Sequence, residues 1–233
     1  MRLFMAILLS ALALVAASPT LPPRACSTIY PNIYSLVSSQ PDEPVAPVTY
    51  NQSAALVIGG VGDSEDLQAI LQFPHLQIYN QPSSPSDPQG IFQYLDFQVP
   101  AGSYGCQLSI IDENSQLYSN NSSNIYAPYP ALNVRSLFPN AICDDPTFNS
   151  VLKADPSVIQ NPSWGTFTLS PGASTVINSA ACPPASEGED GHAQFVLEFA
   201  QPGGGYNDWI LPQLTAIDSD LQISEGVYMT YNC

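Results

Sequence analysis

Apolar and polar residues alternate with a period of two over much of the chain beyond residue 90, the mark of half-buried strands. In residues 91–99, Phe92, Tyr94 and Asp96 fall on one side and Leu95, Phe97 and Val99 on the other. Pro100-Ala101-Gly102-Ser103 then makes a turn, and residues 104–111 set Cys106, Leu108 and Ile110 on an inward face. Segments 132–137, 164–169, 175–177, 195–199, 221–223 and 227–231 continue the series, with proline and glycine turns between them. Several short strands at this spacing predict a mainly β fold, an antiparallel β-sandwich of jelly-roll-like form.

Ahead of residue 90 the pattern is looser. Residues 33–38 predict one short helical turn, and Pro41, Pro44 and Pro47 an extended stretch. The apolar run 54–58 ends at Gly59-Gly60. Residues 63–73 have helical spacing at Leu67, Ile70 and Leu71, with Ser64 placed as the cap and Glu65 and Asp66 in the first turn. Residues 80–89 read as a Pro/Ser loop. The expected organisation is a leader at 1–17, a loop-rich N-terminal extension at 18–89 with one or two short helices, and a β domain at 90–233.

The leader reading rests on Met1-Arg2, an apolar run from 3 to 17 broken only by Ser10, and small residues at Val15-Ala16-Ala17 before Ser18-Pro19. This is the plan of a secretory signal peptide. The run is shorter than the roughly 20 residues that a spanning helix needs. The expected location is therefore extracellular or in a cell wall, without membrane attachment.

Charge narrows the partners. Four basic residues stand against twenty acidic ones, for a net charge of -16. Such a chain repels phosphate backbones, which excludes nucleic-acid binding. With 23 prolines and charged residues at only 10%, a long helical bundle is excluded as well.

The five cysteines, Cys26, Cys106, Cys143, Cys182 and Cys233, all follow the leader. None has zinc-ligand spacing, and no metal or other cofactor is expected. In an oxidising compartment they predict two disulfides and one thiol left over. Termini of compact domains tend to lie close together, which favours Cys26 with Cys233. Cys106 with Cys182 is the second choice, since both flank strand-like runs, and other pairings remain open. Glycosylation sequons start at Asn51, Asn120 and Asn121, the last two in a polar run, 119–124, that reads as an exposed loop.

Three segments carry a resemblance: residues 26–34 (Cys-Ser-Thr-Ile-Tyr-Pro-Asn-Ile-Tyr), residues 97–108 (Phe-Gln-Val-Pro-Ala-Gly-Ser-Tyr-Gly-Cys-Gln-Leu) and the terminal Tyr231-Asn232-Cys233. Together they resemble secreted fungal proteins with a But-two C-terminal domain, which would cover about residues 90–233. The resemblance implies a β-sandwich and supplies no catalytic residues. The family is named for a yeast protein reported to bind a subunit of a ubiquitin-like-pathway enzyme. An adaptor role in that pathway is thus one alternative, and it requires a cytosolic pool.

Catalytic chemistry has thin support in the sequence. Gly62-Asp63-Ser64 follows an apolar run, as the nucleophile of some serine hydrolases does. Such an enzyme needs a histidine base and a carboxylate to orient it. His75 and His192 are the only histidines, and the Glu189-Asp190-Gly191-His192 loop is a crude substitute for the usual block. A hydrolase using Ser64 is the second alternative. The acidic loop 187–191 lacks regular calcium-loop spacing and reads as a solvated turn. Aromatics in 126–130 and in Tyr206-Asn207-Asp208-Trp209, read as loops, are candidates for stacking on sugar faces. The expectation is a secreted, non-catalytic extracellular or wall-associated binding protein, its ligand a cell-wall polysaccharide or a protein.

Overall fold

The computed structural model describes residues 26–44, 75–81, 89–115, 117–121, 129–142, 144–185, 189–201, 207–215 and 224–233. The expected leader, Asn51, the helix over 63–73 with Ser64, Cys143 and the segments 126–128 and 221–223 lie outside them. In chain order the elements are β1 (Ser27–Ile29), β2 (Asn32–Val37), β3 (His75–Gln81), β4 (Gln89–Val99), β5 (Cys106–Asp112), β6 (Tyr118–Asn121), β7 (Leu132–Leu137), α1 (Phe148–Leu152), β8 (Ile159–Phe167), β9 (Ser174–Ala180), β10 (Gly191–Phe199), β11 (Asn207–Pro212), β12 (Leu214–Thr215) and β13 (Ser224–Tyr231).

They form two antiparallel sheets, as the alternation predicts. The smaller has the order β1-β13-β5-β9, with β12 also on β13; the larger has the order β6-β11-β3-β4-β10-β7-β8, with β2 also on β4. The sheets close on one apolar core. Cys106, Leu108, Ile110, Val227 and Met229 come from the smaller sheet, and Leu95, Phe97, Val99, Phe195, Leu197 and Trp209 are among those from the larger. Each fully buried Leu, Ile or Phe side chain contributes about 1.5–3 kcal/mol of transfer free energy.

Two of the connections between the layers are very short. Tyr30-Pro31 carries the chain from β1 in one sheet to β2 in the other, and Gln213 carries it from β11 to β12. Gln213 is 1% exposed, and its amide takes the place of a strand partner: Oε1 accepts from Val227 N–H at 2.7 Å and Nε2 donates to Val227 C=O at 2.9 Å. Gly226 makes room for it. At φ +101° its backbone suits glycine, and a Cβ there would run into the Gln213 amide. Gly226→Ala is therefore expected to lower the unfolding free energy by about 2 kcal/mol or more, read from the midpoint of a denaturant titration.

Two local expectations are corrected. Residues 33–37 lie in strand β2 instead of a helical turn. An isolated turn has too few hydrogen bonds to persist, whereas pairing with β4 buries Ile33 and Leu36. The helix among the described residues is α1, capped by Thr147 and Ser150 in a reciprocal capping box, while the helix expected over 63–73 lies outside them. The part of 119–124 that is described is also not a loop: it ends strand β6, at the margin of the larger sheet, where Asn120 and Asn121 stand opposite Asp208 and Asn207 of β11.

A second, smaller apolar cluster explains why β10 is buried on both faces. Leu36, Tyr94, Leu137, Val151 and Val196 are its buried members, with Phe92, Ile142 and Phe148 packed on them. The connection from β7 to β8, including α1, thus covers part of the outer face of the larger sheet. Gln194 pins this cover, accepting from Ile142 N–H at 3.2 Å and donating to Ile142 C=O at 2.6 Å.

The termini of the described chain are latched together. Cys26 is bonded to Cys233, with Cα atoms 4.7 Å apart, and Cys106 to Cys182, with Cα atoms 4.9 Å apart. Beside the first bond, Ser27–Ile29 pair with Tyr231–Met229, and Asn232 exchanges hydrogen bonds with Tyr104. The three segments of the But-two resemblance therefore meet at one end of the sandwich. Two such bonds are the mark of an oxidising compartment.

Candidate functional site

Strand β4 is eleven residues long and changes partner part-way along one edge. Residues Gln93–Val99 pair with β10, from Leu197 back to Gly191. Residues Gln89–Ile91 pair with β3, from Gln81 back to Tyr79. Strand β2 pairs with Ile91–Asp96, overlapping both sets, so it occupies the opposite edge. Strands β10 and β3 therefore follow one another along a single edge of β4, and the sheet splits where one gives way to the other. Buried Gln93 stitches the split, donating from Nε2 to Gln77 C=O at 2.7 Å and to Ser35 Oγ at 3.1 Å.

A cavity of about 330 Å³ opens at this split. Its walls include Tyr79 and Asn80 from β3, Ile91 and Phe92 from β4, Arg135 from β7 and Glu198 from β10. The volume is at the low end of small-ligand sites, which run from roughly 300 to 1,000 Å³. On one side the wall is aromatic and aliphatic, with Phe92 also tilted against Phe148 at 5.7 Å.

The other side is a bidentate ion pair. Arg135 donates from Nε to Glu198 Oε1 at 2.7 Å and from Nη2 to Oε2 at 2.8 Å. Asn133 Nδ2 adds a third donor to Oε1 at 2.9 Å and also donates to Pro162 C=O. The Glu198 side chain is 11% exposed and that of Arg135 30%. A fork-on-carboxylate pair holds both planes rigid. Oε1 is saturated and Oε2 keeps acceptor capacity, while the remaining guanidinium N–H groups make no bond among the described residues.

A second polar group lies on the same sheet, at the other end of β10. His192 Nδ1 is 2.9 and 3.0 Å from the two oxygens of Asp96. Burial raises the Asp96 pKa, and its hydrogen bond to His192 opposes that rise. The sequence offers Glu189-Asp190-Gly191-His192 only as a crude substitute for a hydrolase block. In the fold His192 meets Asp96, because the antiparallel register of β4 and β10 sets it diagonally across from His192. Among the described residues no hydroxyl or thiol is hydrogen-bonded to His192 Nε2.

The aromatic candidates divide. Trp209 is not in a loop: it is central in β11 and fully buried in the main core. Tyr129 is half-buried against that core. The aromatic surface that the sequence did suggest is thus absent at 209, and Tyr79 and Phe92, which it did not, line the cavity. Among the described residues no three His, Cys, Asp or Glu side chains gather in a way that would hold a metal ion, and no helix is long and apolar enough to cross a membrane. No protein-family model, curated protein or solved structure matches the chain.

Proposed function

We propose that this chain is a secreted, non-catalytic extracellular or cell-wall-associated protein that binds its ligand at the split in the larger sheet. The observation that carries the reading is the Cys26–Cys233 bond, which closes the sandwich across a sequence separation of 207 and needs an oxidising environment to form. Further support comes from the leader at 1–17, the sequons at Asn51, Asn120 and Asn121, and the resemblance to secreted fungal proteins with a But-two C-terminal domain. The cavity supports a binding role because it joins an apolar wall to a few fixed polar groups.

The test follows the native protein through a fractionated culture: medium, wall and lysate, each with and without removal of N-glycans. The expected result is a chain shortened by the leader, outside the cell, whose mobility shifts when glycans are removed. A full-length, unglycosylated chain confined to the lysate would overturn the reading and favour the adaptor role.

A further inference from the structure

We infer that the cavity at the β4 split takes an uncharged carbohydrate, whose neighbouring hydroxyls bridge Arg135 and Glu198 while its C–H face lies against Phe92 and Tyr79. This rests on the binding role proposed above and names the ligand class of that site.

Charge excludes the simpler ligands. Arg135 and Glu198 neutralise one another at 2.7 Å, so the cavity holds neither an uncompensated cation for an anionic ligand nor the reverse. The net charge of -16 adds a field that repels anions at long range. A purely apolar ligand would strip water from the open N–H groups of Arg135 and from Glu198 Oε2 without replacing those bonds. A hydroxyl both donates and accepts, so one sugar hydroxyl satisfies an Arg135 N–H while its neighbour donates to Glu198 Oε2. The pair is held in place by Asn133 and Pro162, which keeps the ordering cost of binding small. The aromatic and aliphatic wall provides the second half of the recognition, because a sugar ring is polar at its rim and apolar on its C–H faces. An extended peptide laid on the sheet edge is the rival occupant. A cavity of about 330 Å³ holds one or two sugar units more readily than several residues of strand.

The experiment is isothermal titration of the full mature chain with soluble, uncharged oligosaccharides of the β-glucan, chitin and mannan types, and with a set of extended decapeptides. At least one oligosaccharide is expected to bind, with an affinity nearly independent of salt because no charge is exchanged. Arg135→Lys, which keeps the charge and loses the fork, and Glu198→Gln are each expected to weaken it by about tenfold or more. Phe92→Leu, which keeps an aliphatic side chain on the second cluster and removes the ring from the wall, supplies the same readout should either polar variant fail to fold. Oligosaccharide binding that survives all three variants overturns the assignment, and so do peptides that bind while every oligosaccharide is inert. A glycosylated extracellular protein that binds no oligosaccharide overturns this inference and leaves the extracellular role standing. A chain confined to the lysate overturns that role, whatever the titration shows.

Discussion

Replacing Cys26 and Cys233 together by serine is expected to lower the unfolding free energy by about 5 kcal/mol, a third or more of the stability of an ordinary domain. The bond closes a loop with a sequence separation of 207, so in the unfolded chain it removes more conformational freedom than any other single link here. The Cys106–Cys182 bond, with a separation of 76, is worth roughly 4–5 kcal/mol on the same argument. The first loss also has a local consequence. Strand β1 is three residues long, and without the bond it is held by its pairs to β13 and by Ile29 against the core. Denaturant titration of the double variant beside the parent chain measures the change. A difference under about 1 kcal/mol would mean that the unfolded chain is already compact enough to hold its ends together.

The stability of the smaller sheet is expected to fall as pH rises through about 7, and Glu225 is the group responsible. Glu225 is 1% exposed and stands directly opposite Asp112, itself fully buried, across the β5–β13 ladder. Its pKa is raised from 4.5 to about 7, chiefly by burial; the Asp112 charge adds to the rise, and hydrogen bonds from Asn114 and Glu113 oppose it. Asn114 N–H donates to Oε1 at 2.6 Å, and Oε2 has no partner among the described residues. Asp112 in turn accepts from Leu117 and Gly172 N–H groups. Because the folded pKa lies above the unfolded one, the folded state holds the proton more tightly. The stabilisation is complete below about pH 4.5, declines between 4.5 and 7, and is gone above 7, a span of about 3 kcal/mol. Glu225→Gln keeps the acceptor for Asn114 and cannot ionise. It is expected to flatten the profile between pH 5 and 8 and to exceed the parent in stability at pH 8 by up to that amount. Parallel melts across this pH range check it, and a parent profile that is flat or rises with pH would rule the assignment out.

How much of this was legible beforehand depended on where each signal lies. Strand β5 was plain because Cys106, Leu108 and Ile110 alternate with polar residues and the face they make is buried. The same holds for Leu95, Phe97 and Val99 of β4, and strand β7 occupies the expected residues 132–137. Strand β11 escaped notice because Asn207 and Asp208 precede Trp209 and look like a solvated loop. Both are buried, and Gln77 of the neighbouring strand donates to Asp208 at 3.3 Å. Strand β2 escaped because its identity comes from its partner: taken alone, residues 33–38 suit a helical turn as well as an extended one.

By itself, then, the sequence determined the β class, the compartment chemistry of its cysteines and the alternation of the central strands. Those are properties of near neighbours in the chain, carried by side-chain period and by burial of every second residue. The tertiary structure alone decided the site. Arg135 and Glu198 are 63 residues apart and Asp96 and His192 are 96 apart. No local period brings such pairs together. Strand register does, and register is set by which faces must be buried at once across the whole sheet. The cavity is further still from the sequence, since it exists only where β10 and β3 take successive stretches of one edge of β4 and leave a gap that neither fills.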